Sequence, residues 1–227
     1  LSHECCLGVL NDSFLGLKSL GFYRIPGFSP HASAHFIMSA NLNYKLFMLS
    51  KLIAVLNTLE LPNIKILLTG SGKVANGAQE MLDGMHLKSV SVDDYLHKTF
   101  SEPVYCKIDV LDYNKRKDGA VKDMFDFFDN PQEYVSDFKR FTKVTDYYIA
   151  GHFYGNGAPN FYTKEDVKSP DFNIKLVADI SCDVNGPIAT TIKASTIADP
   201  VFGYEKETGE ETDYKNKNAI AVMSVDN

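Results

Sequence analysis

Apolar residues along this chain follow two regimes. Between positions 31 and 59 they recur three and four apart, at Met38, Leu42, Leu46, Leu49, Ile53 and Leu56, the spacing of one helix face. Phe36, Phe47, Leu52, Val55 and Leu59 widen that stripe beyond half the circumference, as in a helix buried against a lobe or a second subunit. Pro62 ends the pattern. From residue 64 onward, short apolar runs replace it, at 64–68, 88–92, 104–110, 146–150, 173–178 and 219–224, and each reads as a strand. Helical patterns fall between them, to about residue 85 and over 114–128 and 131–141. Strands alternating with helices predict an α/β fold, a doubly wound parallel sheet of Rossmann type. Residues 1–30, interrupted by Gly8, Gly16, Gly21, Pro26, Gly27 and Pro30, predict loops and short pieces that lie against something else.

In such a sheet, ligands bind outside the carboxyl ends of the strands. The residues just past each strand therefore carry the interest: Gly70–Val74, Asp93 and Asp94, Gly151 and His152, Asp179 to Asp183, and Val225 with Asp226. The first of these is the most informative. Ile64-Lys-Ile-Leu-Leu-Thr is followed by Gly70, Ser71, Gly72, Lys73 and Val74, then Gly77, then a helical pattern through Met81 and Leu82. Strand, glycine turn and helix together predict a dinucleotide site. Gly70 would turn the chain off the strand, Gly72 would let backbone N–H groups reach a pyrophosphate, and Gly77 or Ala78 would let the helix approach the sheet. The anion would sit on the helix N-terminus.

The spacing is Gly-x-Gly-x-x-x-x-Gly, looser than Gly-x-Gly-x-x-Gly, so a turn that holds nothing is the competing reading. A Walker-type loop is disfavoured, because Val74 follows Gly72-Lys73 where Ser or Thr belongs. A methyltransferase usually ends its first strand in an acidic residue, whereas this strand ends in Leu68-Thr69. Asp93 lies 21 residues beyond Gly72, the distance at which an acidic residue accepts hydrogen bonds from the adenosine ribose, with Asp94 as its alternate. Such a carboxylate repels a 2′-phosphate and favours NAD, although Lys73 leaves NADP open.

Composition narrows the function classes. A net charge of −6 argues against nucleic acid as the main partner. The start, Leu1-Ser-His-Glu-Cys, has no signal-peptide layout, and no apolar run is long enough to span a membrane. Cys5, Cys6, Cys106 and Cys182 form neither a disulfide framework nor a Cys-x-x-Cys pair, which fits reduced thiols in a cytoplasmic protein. His31 and His35 are four apart, as on a two-histidine metal face, but no third ligand or glutamate base accompanies them. His152, at a strand end, would lie near the cofactor, or else serve as a hydrogen-bonded structural histidine. Cys182 between Asp179 and Asp183 lacks a base and does not read as a nucleophile.

Several segments resemble one family. Thr69-Gly-Ser-Gly-Lys-Val-Ala-Asn-Gly-Ala78 is similar to the glycine loop of lysine-forming saccharopine dehydrogenases and lysine–ketoglutarate reductases, within the alanine dehydrogenase/transhydrogenase superfamily. The likeness continues through Val144-Thr-Asp-Tyr-Tyr-Ile-Ala-Gly-His152, Ala158-Pro159, the stretch 174–188, Ser195-Thr-Ile-Ala-Asp-Pro200 and Ala221-Val-Met-Ser-Val-Asp-Asn227. It covers residues 60–227. The resemblance implies a two-lobed NAD-dependent oxidoreductase of lysine metabolism, with hydride transfer at a C–N bond of an amino acid or 2-oxo acid conjugate. Residues 61–227 would be the dinucleotide-binding lobe, and residues 1–60 a remnant of the N-terminal lobe plus its linking helix. The glycine loop and Asp93 region would bind the dinucleotide, and Asp226 would lie by the nicotinamide and substrate. The family's acid–base lysine and histidine precede the linking helix, where this chain has only about 30 residues, so they map onto no position. Gly21-Phe-Tyr-Arg24 loosely resembles the family's basic stretch there, with Arg24 a candidate carboxylate anchor. The chain stops just after a strand, which predicts a missing helix and partner lobe. The competing readings are a dinucleotide-binding regulatory module without chemistry of its own and another amino-acid dehydrogenase of the superfamily. A homodimer through the helix at 31–59 is a further expectation.

Overall fold

A computed structural model describes residues 61–225, apart from 122 and 156, together with positions 54 and 58. Apart from positions 54 and 58, the predicted helix at 31–59 and the proposed lobe remnant lie outside the described residues, as do His31, His35, Arg24 and Asp226.

Ten strands are described. β1 (Lys65–Thr69), β2 (Lys88–Ser89), β3 (Val104–Ile108), β6 (Tyr147–Ala150), β7 (Leu176–Asp179) and β10 (Ala219–Met223) run parallel. β8 (Val201–Glu205) and β9 (Glu211–Thr212) add an antiparallel edge. The order across this sheet is β2-β3-β1-β6-β7-β10-β8-β9. A small antiparallel pair, β4 (Asn114–Arg116) with β5 (Tyr134–Ser136), stands apart. The parallel α/β expectation is met; the antiparallel edge and the small pair were not foreseen.

β1 is buried along its length beyond Lys65, which explains its unbroken Ile-Leu-Leu run. On one face, Leu68, Tyr105, Ala75, Ala78 and Leu82 join the sheet to helix α1 (Lys73–Gly84). On the other, an aromatic cluster of Phe138, Phe141, Tyr148, Phe161 and Tyr162 fills the core. Its buried phenols need partners, and threonines supply them. Tyr148 pairs with Thr69 at 3.1 Å, Tyr162 with Thr190 at 2.9 Å and Tyr95 with Thr145 at 2.9 Å.

The long helices expected over 114–128 and 131–141 are replaced by fragments. After β3 come α3 (Val110–Tyr113), β4, α4 (Met124–Asp129), a 3-10 turn at Pro131–Glu133, β5 and α5 (Lys139–Thr142). Asp118 caps a turn by accepting from the Ala120 N–H at 3.0 Å, and Gly119 takes a left-handed φ of 73°. Asp109, Asp123 and Asn130 then restart or stop local turns. Side-chain caps compete with helix propagation here. Among the described residues, no helix is long and apolar enough to cross a membrane.

Candidate functional site

β1 lies between β3 and β6. From β1 the chain runs to the outermost strand β2, returns to β3 beside β1, then crosses to the other side at β6. At that reversal the carboxyl ends of the strands part, leaving a crevice in which open α/β sheets bind ligands. A cleft of about 590 Å³ occupies this place. Gly70, Ser71, Gly72, Lys73 and Val74 line it, with Asp109, Val110, Tyr113 and Asn114 beyond β3, Gly151 and His152 beyond β6, and Ile180, Ser181 and Asp183 beyond β7. Phe127, Phe128, Phe153, Tyr154 and Phe161 add an aromatic wall.

The glycine turn has a steric reason at Gly70, and Gly151 across from it has one too. Gly70 has φ 111°, and a Cβ there would lie 2.5 Å from the Gly151 carbonyl oxygen. Its N–H donates to the Ile108 carbonyl at 2.9 Å, while the Gly151 N–H donates to Thr69 O at 3.1 Å. Three strand tips are thus stitched together under the loop. A Cβ at Gly151 would come within 3.2 Å of Ala75 Cα, so Gly151 sets how closely α1 approaches β6. Gly77 does not have that part: a Cβ there would meet nothing within 4 Å, and Ala75 and Ala78 face the sheet instead.

Gly72 is the N-cap of α1, with φ −83° and no side chain to cap the first turn. A Cβ there would meet nothing within 4 Å, so the fold itself does not need this glycine. The 12-residue helix carries no acidic residue in its first turn. Its N-terminus borders the cleft with no carboxylate in its own first turn, an arrangement that suits an anion.

Asp93 and Asp94 are not brought to this cleft. Strand β2 is only two residues long, and helix α2 (Val92–His97) begins almost at once, capped by Ser91. Both aspartates occupy its first turn. Asp93, its side chain 86% exposed, pairs with His97 at 3.1 Å. The spacing from Gly72 suited Asp93, but the sheet order does not, because β2 is the outermost strand and β3 is the neighbour of β1. The acidic residue at the tip of that neighbour is Asp109, which sequence spacing missed. Its Oδ1 accepts from the Leu111 N–H at 3.1 Å, and its own N–H donates to Asp112 Oδ2 at 2.9 Å, a capping box that fixes the carboxylate at the cleft wall. The signal for it was present: Lys107-Ile-Asp-Val ends an apolar run in an aspartate.

Val225 follows β10, is buried, and does not line the cleft. Its carbonyl accepts from Cys182 Sγ at 3.0 Å, which gives that thiol a structural role. Asp179 at the end of β7 is buried. It accepts from Ser181 N at 3.0 Å, Ser181 Oγ at 2.6 Å, Cys182 N at 3.3 Å and Thr191 Oγ1 at 2.6 Å. Burial pushes its pKa up against those bonds. Asp179 therefore organises the loop that presents Ser181 and Asp183 to the cleft.

His152 reaches the site, but at its base. Only 8% exposed, it lies against Phe161 with ring centroids 4.1 Å apart, and its Nδ1 is 2.9 Å from Thr69 Oγ1. Desolvation depresses its pKa to about 3, so it is neutral near pH 7.

No protein-family model matches the chain, and no curated protein matches it either.

Proposed function

We propose that residues 61–225 form the dinucleotide-binding lobe of an NAD-dependent oxidoreductase of the saccharopine dehydrogenase type, acting at a C–N bond of an amino-acid conjugate. The observation that carries this reading is the pairing of an uncapped helix N-terminus at Gly72 with an aspartate at the tip of the adjacent strand, both facing one cleft. A pyrophosphate would rest on the N–H groups of Ser71 to Val74, with Gly72 allowing the approach. Asp109 would accept from the adenosine ribose hydroxyls and repel a 2′-phosphate, favouring NAD over NADP. The apolar wall of Val110, Tyr113, Phe128 and Phe153 would shelter rings and exclude water. A bound nicotinamide supplies the hydride chemistry; this lobe binds and orients it. On the resemblance, proton transfer would belong to a second lobe, and this one would bind and orient the cofactor.

Calorimetric titration with NAD and NADP, using Gly72→Val as control, tests the proposal. The valine fits the isolated fold, since space around a Gly72 Cβ is open, yet it occupies the ligand's approach. NAD binding in the micromolar range, weaker for NADP and lost in the variant, is expected. Binding of neither cofactor, or equal binding by Gly72→Val, would overturn it.

A further inference from the structure

Thr69 Oγ1 joins a buried line of three groups, 3.1 Å from the Tyr148 hydroxyl and 2.9 Å from His152 Nδ1. The proton directions on this line follow from counting partners. Among the described residues, Tyr148 has Thr69 as its hydroxyl's only partner, and His152 Nε2 is buried with none. If Nδ1 carried the imidazole proton, Thr69 would accept it and donate to Tyr148. The Tyr148 proton and the Nε2 lone pair would then both be unpaired. If instead Tyr148 donates to Thr69, and Thr69 donates to Nδ1, every group on the line is satisfied and only one orphan remains, an Nε2–H donor. The second arrangement leaves the fewest buried groups unpaired.

That donor belongs to a residue lining the cleft, directly after β6 and beside the glycine turn. Native folds seldom keep a buried N–H without a partner unless a ligand or function requires it. The wall beside it, residues 153–155, has no regular secondary structure, and Phe153 is 74% exposed.

We propose that His152 is a ligand-binding residue, held in the Nε2–H tautomer by the Tyr148–Thr69 line and donating that hydrogen to an acceptor oxygen, phosphate or ribose, of the dinucleotide. This rests on the dinucleotide reading of the cleft. Binding displaces the wall at 153–155 while the imidazole stays on its line, and exchanges an orphan donor for a charge-assisted or neutral hydrogen bond. Thr69 is thereby a positioning residue, acting through the imidazole.

Nitrogen-15 NMR of the histidine side chains in the full chain, with and without saturating NAD, tests this directly. His152→Gln assigns the signal. The wild-type protein is expected to show a pyrrole-type Nε2 and a pyridine-type Nδ1, with the Nε2–H resonance moving when NAD is added. His152→Phe should bind NAD about five- to tenfold more weakly, the value of one hydrogen bond. A protonated Nδ1 in the wild type would overturn the proposal. So would an Nε2–H unmoved by NAD while calorimetry records binding that Gly72→Val abolishes; that outcome leaves the cofactor reading intact and points to an internal partner such as water. Absence of any NAD binding would remove both.

Discussion

At the residue scale, the site is made by positions whose chemistry is dictated by neighbours distant in sequence. Gly70 is glycine because Gly151, 81 residues later, brings its carbonyl to 2.5 Å of where a Cβ would be. The sequence showed that a glycine turn followed a strand, but not which glycine was obligatory and which was open. His152 shows the same dependence. An imidazole whose folded pKa falls below its unfolded value binds fewer protons when folded, so stability is full above the unfolded value and is lost as pH falls. For His152 that window opens at the ordinary 6.5 and extends down to about 3. Between pH 7.5 and 5.5 the linkage predicts a loss of roughly 1 kcal/mol from this residue. Denaturant unfolding at a series of pH values should show that slope in the wild type. The difference between wild type and His152→Phe isolates it, whatever the variant's absolute stability. Parallel profiles for the two proteins would mean that the imidazole is solvated and titrates normally.

At the element scale, apolar period and local caps carry different information in this chain. Continuous apolar runs marked β1, β3, β7 and β10 because strands buried on both faces show no alternation to misjudge, and the same kind of run marked β6, where Tyr148 and Ala150 are buried and Tyr147 and Ile149 half-buried. The segment from 110 to 142 misled, because its apolar residues fall at helical spacing while its aspartates and asparagines cap one short turn after another. Asp109 was missed for a related reason. Sequence distance identifies the second strand in the chain, whereas ribose recognition requires the strand next to β1, and only the sheet order shows that this is β3. Asp109 also serves its element as the N-cap of α3, so its two functions separate by substitution. Asp109→Ala should cost about 1 kcal/mol through the lost cap. Asp109→Asn keeps an oxygen for the Leu111 N–H and should stay within about 0.5 kcal/mol of wild type. Both should narrow the preference for NAD over NADP, since both remove the charge that repels the 2′-phosphate. Unfolding curves paired with titrations of the two cofactors measure this. An unchanged preference in both variants would place the ribose elsewhere.

At the scale of the whole molecule, the described residues gather at the carboxyl edge of one sheet everything proposed to hold a cofactor. The opposite edge carries chain connections such as the Lys65 N–H donating to Asp146 Oδ2 at 3.0 Å. The cleft is stitched from β3, β1 and β6, three neighbouring strands of the sheet, by the Gly70-to-Ile108 and Gly151-to-Thr69 hydrogen bonds. A ligand bound there contacts several strand tips at once, and its binding energy is therefore shared with global unfolding instead of one fraying loop. At an NAD concentration about 100 times its dissociation constant, linkage predicts about 2.7 kcal/mol of added stability. For a domain of this size that raises the melting temperature by roughly 5–10 °C. Calorimetric melting with rising NAD should follow the logarithmic dependence on concentration. Gly72→Val should melt near the wild type without ligand and fail to respond to it. A ligand that shifted only a minor local transition, leaving the main one in place, would show that the cleft is not energetically part of the central sheet.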